Sequence, residues 1–264
     1  MHPARIAELL QPFLSPIPNL CHSESGQTSG EACPERSRRE PDVLSAVQLQ
    51  DISTYIDILL HWNARINLTA IRDPEEIVTR HFGESLFAAR HLFPKAYPVT
   101  SSVPPVPALS AAEGSPVLKD FDSADAQILL ADLGSGAGFP GLPIKLWAPH
   151  ISLTLIESNH KKATFLREVT RALTLTDVNI QNARAETLPP STFDVVTLRA
   201  VERFAIALPA AASLLAPTGR LALLVSSSQL KSINTTLPTF AWHPPIPITG
   251  SKSRILLLTK TRSA

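Results

Sequence analysis

The chain has 264 residues, 44% of them hydrophobic and 18% charged, which supplies a sizeable core and argues against a chain disordered throughout. Its formal net charge of +1 argues against a partner held by overall charge, so any nucleic-acid contact has to come from locally clustered cations. The two cysteines, Cys21 and Cys33, stand in a polar stretch that suggests neither a disulfide framework nor a metal site, and no run approaches the roughly 20 apolar residues of a membrane span.

The first residues hold Pro3, Pro12, Pro16 and Pro18 beside Arg5 and Glu8, unlike the apolar stretch of a signal peptide; a soluble, cytoplasmic protein is expected. Residues 22–42 are almost free of large apolar side chains, and residues 96–126 alternate prolines with small residues. Neither can bury enough surface to offset its ordering entropy, so both read as disordered insertions. The alternative for the first is a basic RNA-binding arm using Arg36, Arg38 and Arg39. The chain thus divides into an N-terminal helical region (1–95), a proline-rich insertion (96–126) and a main domain (127–264).

Within the first region, Ser45 is a plausible N-cap, and Val47, Ile52, Ile56, Leu59 and Leu60 form a helix-spaced stripe ending near WNARINLTA. Asp73 then caps a helix with Pro74 at its first position and Glu75 and Glu76 on the positive end of the dipole, expected to run through Ile77, His81 and Leu86 towards Leu92. From Ile128 short apolar runs alternate with helical stretches. ILLADL, LTLIE, FDVVTL, RLALLV and SRILLLTK read as strands, with Val178–Ile180 a weaker one. Lys161–Leu173 reads as a helix burying Phe165, Leu166, Val169, Ala172 and Leu173, and Phe204–Leu215 as another. Strands alternating with helices predict a doubly wound, mostly parallel α/β sheet of Rossmann-like type.

The chemistry concentrates in ADLGSGAGFPGLPI, where Gly134, Gly136 and Gly138 follow a strand and precede a short helix. Glycine lets the backbone turn sharply and bring amides close to a ligand. Glu157 ends the next strand, 19 residues beyond Gly138, where such sheets place a carboxylate for ribose hydroxyls. An adenosine ligand is therefore expected. Gly136, Gly138 and Gly141 also satisfy the dinucleotide fingerprint of a nicotinamide dehydrogenase. That register, however, puts Pro140 where free N–H groups should meet pyrophosphate. Asp132, two residues before the first glycine, suits the cationic, phosphate-free S-adenosylmethionine, its charge acting on the sulfonium and ammonium side.

The acceptor atom is constrained by what is missing. The stretch TLRAVERF after the fourth strand has no cysteine for pyrimidine C5 chemistry and no Asn/Asp-Pro-Pro-aromatic clamp for exocyclic amines. Guanine N7 carries its lone pair in the neutral base and demands no general base.

Three blocks, YIDILLHWNARINLTAIRDPEEIVTRHFGESL, ILLADLGSGAGFPGLPIKLWAP and FDVVTLRAVERF, resemble the ribosomal RNA small-subunit methyltransferase G family, also called glucose-inhibited division protein B. With a weaker fourth block, SLTLIESNHKKATFLREV, the resemblance covers about residues 44–95 and 127–260. It implies a class I methyltransferase fold and transfer of the methyl of S-adenosylmethionine to N7 of one guanine in 16S rRNA. It also implies cofactor contacts at Gly134, Phe139, Ala185, Glu186 and Arg199, the last also shaping the acceptor pocket. Two departures stand out. Val225 and Ser226 occupy the place of a usual Lys-Gly pair, and Glu84 stands for a usual aspartate. The first leaves open a catalytically weakened RNA-binding assembly factor.

The expected RNA-facing residues are Arg80, His81, Lys161, Lys162, Arg199 and Arg203. For Lys161 and Lys162 the alternative is a solvated helix start, and for His81 a hydrogen-bonded interior histidine. Asn63, Asn67 and Thr69 read as capping and turn residues, Phe139 as cover for the cofactor or a platform for the base, and Trp62 as core. The expected partner is 16S rRNA or the small ribosomal subunit, met by a monomer.

Overall fold

The computed structural model describes residues 1–15, 42–94, 127–199, 204–251 and 253–260; apart from Asp42, both expected insertions lie outside them, as does Arg203. Seven strands form one sheet: β1 (Leu129–Leu133), β2 (Ser152–Ile156), β3 (Val178–Gln181), β4 (Phe193–Arg199), β5 (Leu215–Ser226), β6 (Ile246–Pro247) and β7 (Arg254–Leu258). Their order is β3-β2-β1-β4-β5-β7-β6. The first five pair in parallel, and β7 enters antiparallel between β5 and the edge strand β6. This is the expected Rossmann-like, doubly wound, mostly parallel sheet, its order reversing between β1 and β4.

Period-2 alternation sorts the strand side chains onto two covered faces. Ala131, Leu133, Val196, Leu198, Leu221, Leu223, Val225, Ile255 and Leu257 pack under α7 (Phe204–Leu214) and α8 (Leu230–Thr236). Leu130, Leu153, Leu155, Val195 and Ala222 pack on the other face against α5 (Gly141–Trp147), α6 (His160–Ala172) and the N-terminal helices. Asp132, Thr197, Arg199 and Arg254 share the parity of this second set, so all four polar side chains turn towards the N-terminal region. In α6 the buried residues are Ala163, Phe165, Leu166 and Val169; Ala172, expected inside, is exposed because the chain leaves the helix there and Leu173 closes the face instead.

The N-terminal region begins with a helix that the sequence pattern does not announce, α1 (Pro3–Leu14). Its prolines fall where they do little harm: Pro3 opens the helix, where its missing N–H is not needed, and Pro12 lies in the last turn. Ile6, Leu10, Phe13 and Leu14 face inward. The expected cap Ser45 opens α2 (Ala46–Ile66) with a reciprocal capping box to Gln48, and Asn67 ends it in a left-handed conformation at φ 35°. Asp73 Oδ1 accepts from Glu76 N at 2.8 Å and starts α3 (Pro74–Glu76), which passes through a π-helical stretch, Ile77–Gly83, into α4 (Glu84–Leu92). Such a stretch carries an extra residue per turn and re-aims the side chains on it. Among the described residues no helix is long and apolar enough to cross a membrane.

The turn after β1 depends on one glycine above the rest. Gly138 has φ +87°, and a Cβ there would run into the Tyr55 hydroxyl and stand 2.6 Å from Leu142 Cδ1. Gly138→Ala combines a left-handed backbone with overpacking, an expected loss of about 2–5 kcal/mol. The check is a lower urea midpoint at an unchanged m-value.

Candidate functional site

The switch in strand order falls between β1 and β4, and the glycine turn starts at the carboxyl end of β1, tied to the end of β2 through Gly134 N and Ser135 N on Ile156 O. Gly134 and Gly136 take positive φ, 70° and 57°, and are the accessible part of the turn, whereas Gly138 is buried. A Cβ on Gly136 would meet nothing nearer than Gly134 O at 3.7 Å, so open space lies over this backbone. Glu157 stands beside it: Oε2 accepts from Gly136 N at 2.9 Å and Oε1 from Asn159 N at 2.7 Å. Each carboxylate oxygen has a second lone pair, so both can still accept from a hydroxyl. The Asn182 amide donates to Glu157 O at 2.9 Å, tying the end of β3 to that of β2. The short 3-10 helix Ala185–Thr187 follows, with Ala185 buried and Glu186 exposed. An accessible, side-chain-free turn beside a carboxylate, with a polar loop next along the sheet edge, fits an adenosine ligand.

Asp132, expected to turn its charge towards that ligand, does something else. Its Oδ1 accepts from the Thr197 hydroxyl at 2.8 Å and its Oδ2 from Gly141 N at 3.1 Å. It is buried beneath the turn, because β1 alternation points residue 132 into the layer below. Burial raises its pKa to about 6, against the lowering effect of Thr197 and Gly141. Its work in this fold is to anchor the turn from underneath.

Above the turn, Phe139 is packed between two rings. Tyr55 lies parallel to it at 5.4 Å and 2°, and His81 at 4.7 Å and 20°. Tyr55 also donates to Ala137 O within the turn. His81, expected either to face RNA or to sit as a hydrogen-bonded interior histidine, has its ring hydrogen-bonded on both sides. The ring is half-buried and both nitrogens are used. Arg199 Nη1 lies 3.2 Å from Nδ1, and the Thr69 hydroxyl 2.7 Å from Nε2. Thr69 is held in turn by Asn63, whose Oδ1 accepts from Leu68 N and Thr69 N at 2.8 and 3.0 Å. Asn63 and Asn67 are thus capping residues as expected, and Thr69 is more than one.

Arg199 ends β4 and does not open into the crevice; it turns under the π-helical stretch. Nη2 donates to Arg80 O at 2.6 Å and to Glu84 Oε2 at 2.9 Å. The same oxygen accepts from Arg254 Nη2 at 3.2 Å, and Arg80 Nε reaches Oε1 at 3.2 Å. Three guanidinium groups therefore surround one buried carboxylate. Burial lowers the Arg199 pKa to about 10 against the pull of Glu84, which leaves it cationic at neutral pH. Its Nε is buried and has no hydrogen-bond partner among the described residues, and the same holds for Arg254 Nε. Arg80 is exposed, and its Nη1 lies 3.8 Å from Glu76 Oε1. Lys161 is exposed and Lys162 half-buried, their amides capped by Asn159 Oδ1. Arg254 and Tyr55 have no motif of their own; only strand parity for the first, and an aromatic in an apolar helix for the second, point to them.

The family profile described as rRNA small subunit methyltransferase G matches residues 48–97 and 109–243. The chain belongs to this family. It is 36% identical over 177 residues to the ribosomal RNA small subunit methyltransferase G of Exiguobacterium sp., covering 65% of this chain and 62% of that protein. It is 38% identical over 178 residues to the protein of the same name from Halorhodospira halophila, covering 67% and 69%. With its Listeria monocytogenes counterpart it shares 29% over 235 residues, covering 83% and 85%. The match thus spans somewhat under two thirds of the first relative's length. The dehydrogenase alternative gains nothing from these likenesses.

Burial and the neighbouring Arg199, Arg80 and Arg254 push the His81 pKa down to about 3, whereas an unfolded histidine titrates at about 6.5. The unfolded chain then takes up a proton that the folded ring refuses. Stability from this group is complete above pH 6.5 and is lost as pH falls towards 3, by up to about 1.4 kcal/mol per pH unit. Asp132, raised instead, contributes in the opposite sense, its share lost as pH rises from about 4 to 6. His81→Asn is expected to flatten the acid limb of the stability curve between pH 6.5 and 4, measured by urea titrations at stepped pH.

Proposed function

We propose that this chain transfers the methyl group of S-adenosylmethionine to N7 of a guanine in 16S rRNA, acting in the cytoplasm as a monomer on rRNA or the small subunit. The observation that carries the proposal is the accessible Gly134–Gly136 turn beside Glu157, with the Arg199 guanidinium at the end of the adjacent β4. Membership of the rRNA small subunit methyltransferase G family supports the substrate class.

In this proposal Gly134 and Gly136 receive the cofactor on bare backbone, Glu157 accepts from its ribose hydroxyls, and Ala185 and Glu186 border its adenine. Phe139 closes the turn over it. The cofactor supplies an electrophilic methyl on a sulfonium. The guanine N7 lone pair needs no proton removed, so the chain's task is alignment and exclusion of water. Arg199, held by Glu84, Arg80 O and His81 at the end of β4, lends a fixed positive charge to the acceptor side, where the electron-rich O6/N7 edge of guanine would lie. Asp132 supports the turn from below rather than touching the cofactor. The exposed Arg80, with Lys161, Lys162 and Arg203, serves the RNA backbone.

The test uses labelled methyl donor and rRNA from a strain lacking the enzyme, with cleavage mapping at N7-methylated guanine. Label at a single guanine is the expected result. Glu157→Gln should weaken donor binding by about 10–100-fold in calorimetry, the worth of a charge-assisted hydrogen bond. Donor binding without any label in RNA would favour the non-catalytic assembly factor suggested by Val225 and Ser226. Affinity for NAD in place of the methyl donor would return the dehydrogenase.

A further inference from the structure

One side chain touches both halves of the site. His81 stacks on Phe139 of the glycine turn at 4.7 Å and meets Arg199 Nη1 at 3.2 Å. A guanidinium can only donate, so Nδ1 must accept, and the ring proton must sit on Nε2. Nε2–H then donates to the Thr69 hydroxyl oxygen at 2.7 Å, which also accepts from Ile71 N at 3.1 Å. The imidazole is thereby held in one tautomer and one plane, with neither nitrogen left for a substrate proton.

We infer that His81 is a positioning residue that fixes Phe139 on the donor side and Arg199 on the acceptor side relative to each other. The inference rests on the proposed methyl transfer and deepens it. An in-line displacement is sensitive to sub-ångström errors between donor and acceptor, and a rigid ring in contact with both sides removes that freedom. Thr69 takes its place from Asn63, so the W-N-x-x-x-N-L-T segment acts on the site at second hand. It holds the residue that holds Arg199. A further chain of contacts serves the donor side, where Tyr55 backs Phe139 at 5.4 Å and grips Ala137 O.

Two substitutions separate the two contacts in the full-length chain. His81→Phe keeps a ring for Phe139 and removes the acceptor for Arg199; kcat should fall at least about 30-fold while the KM for the methyl donor stays within about threefold. His81→Asn restores an acceptor near the Nδ1 position and removes the ring; kcat should recover to within about tenfold of wild type while donor KM rises at least about fivefold. Nitrogen-15 NMR of the free protein gives a readout that needs no turnover. One histidine should show a protonated Nε2 and a bare Nδ1, unchanged between pH 5 and 9 among its charged neighbours Arg199, Arg80 and Arg254, and Thr69→Val should perturb that signal. The inference is overturned if His81→Phe keeps kcat within about threefold, if the wild-type proton sits on Nδ1, or if both variants lose kcat and donor affinity together in step with thermal stability. A wild-type chain that binds donor yet labels no RNA overturns the proposed function instead. The tautomer and the donor-affinity split then still decide whether His81 holds the two sides.

Discussion

A lone carboxylate buried at the carboxyl edge of this sheet would be unfavourable by several kcal/mol, and so would each of the guanidinium groups around it. Glu84 is almost fully buried, and what makes it tolerable is that Arg199, Arg254 and Arg80 all donate to it. Arg80 and Glu84 stand four residues apart where the π-helical stretch meets α4, whereas Arg199 and Arg254 come from β4 and β7, more than 100 residues further along the chain. None of the four is well placed without the others. The ionic knot therefore does more than fasten the N-terminal helices to the sheet: it sets where the end of β4 stands beside the crevice. The cluster hangs on its single anion, since removing Glu84 would leave the buried Arg199 and the half-buried Arg254 without that counter-charge.

The glycine turn is organised on the same plan, by side chains that hold its backbone from several sides. Asp132 and Thr197 support it from beneath, Glu157 fixes the Gly136 amide, and Tyr55 grips Ala137 from α2. A turn held from several directions is shaped before anything binds, so little binding energy goes into ordering it. The polar groups beneath it are there to carry the shape. The acid two residues before the first glycine thus serves the turn through Gly141 N and Thr197, from the layer beneath it.

Much of this was legible in the residues because local rules govern it. Ser45 and Asp73 cap their helices through contacts only three residues long. The apolar runs from Ile128 onward, alternating with helical stretches, ask for a sheet covered on both faces, and the glycine spacing, with Glu157 one strand later, points to an adenosine ligand. Other features lay beyond such rules. α1 escapes notice because its prolines look like breaks until one sees that they sit at its first position and in its last turn. The π-helical stretch arises from packing across Ile77–Gly83, and no local preference marks it. Arg254 lies 55 residues beyond Arg199, and their common neighbour Glu84 is further off still.

By itself, then, the sequence determined the fold class, the glycine turn and the family, since hydrophobic period, capping chemistry and conformational freedom are properties of short stretches of chain. Only the tertiary structure decided which charged side chains meet. Strand parity and helix register turned Asp132 inward, brought Arg199, Arg254 and Arg80 onto Glu84, and slid His81 between Phe139 and Arg199. Electrostatic and stacking partners are chosen by distance in space, and distance in space is settled only when the last layer packs.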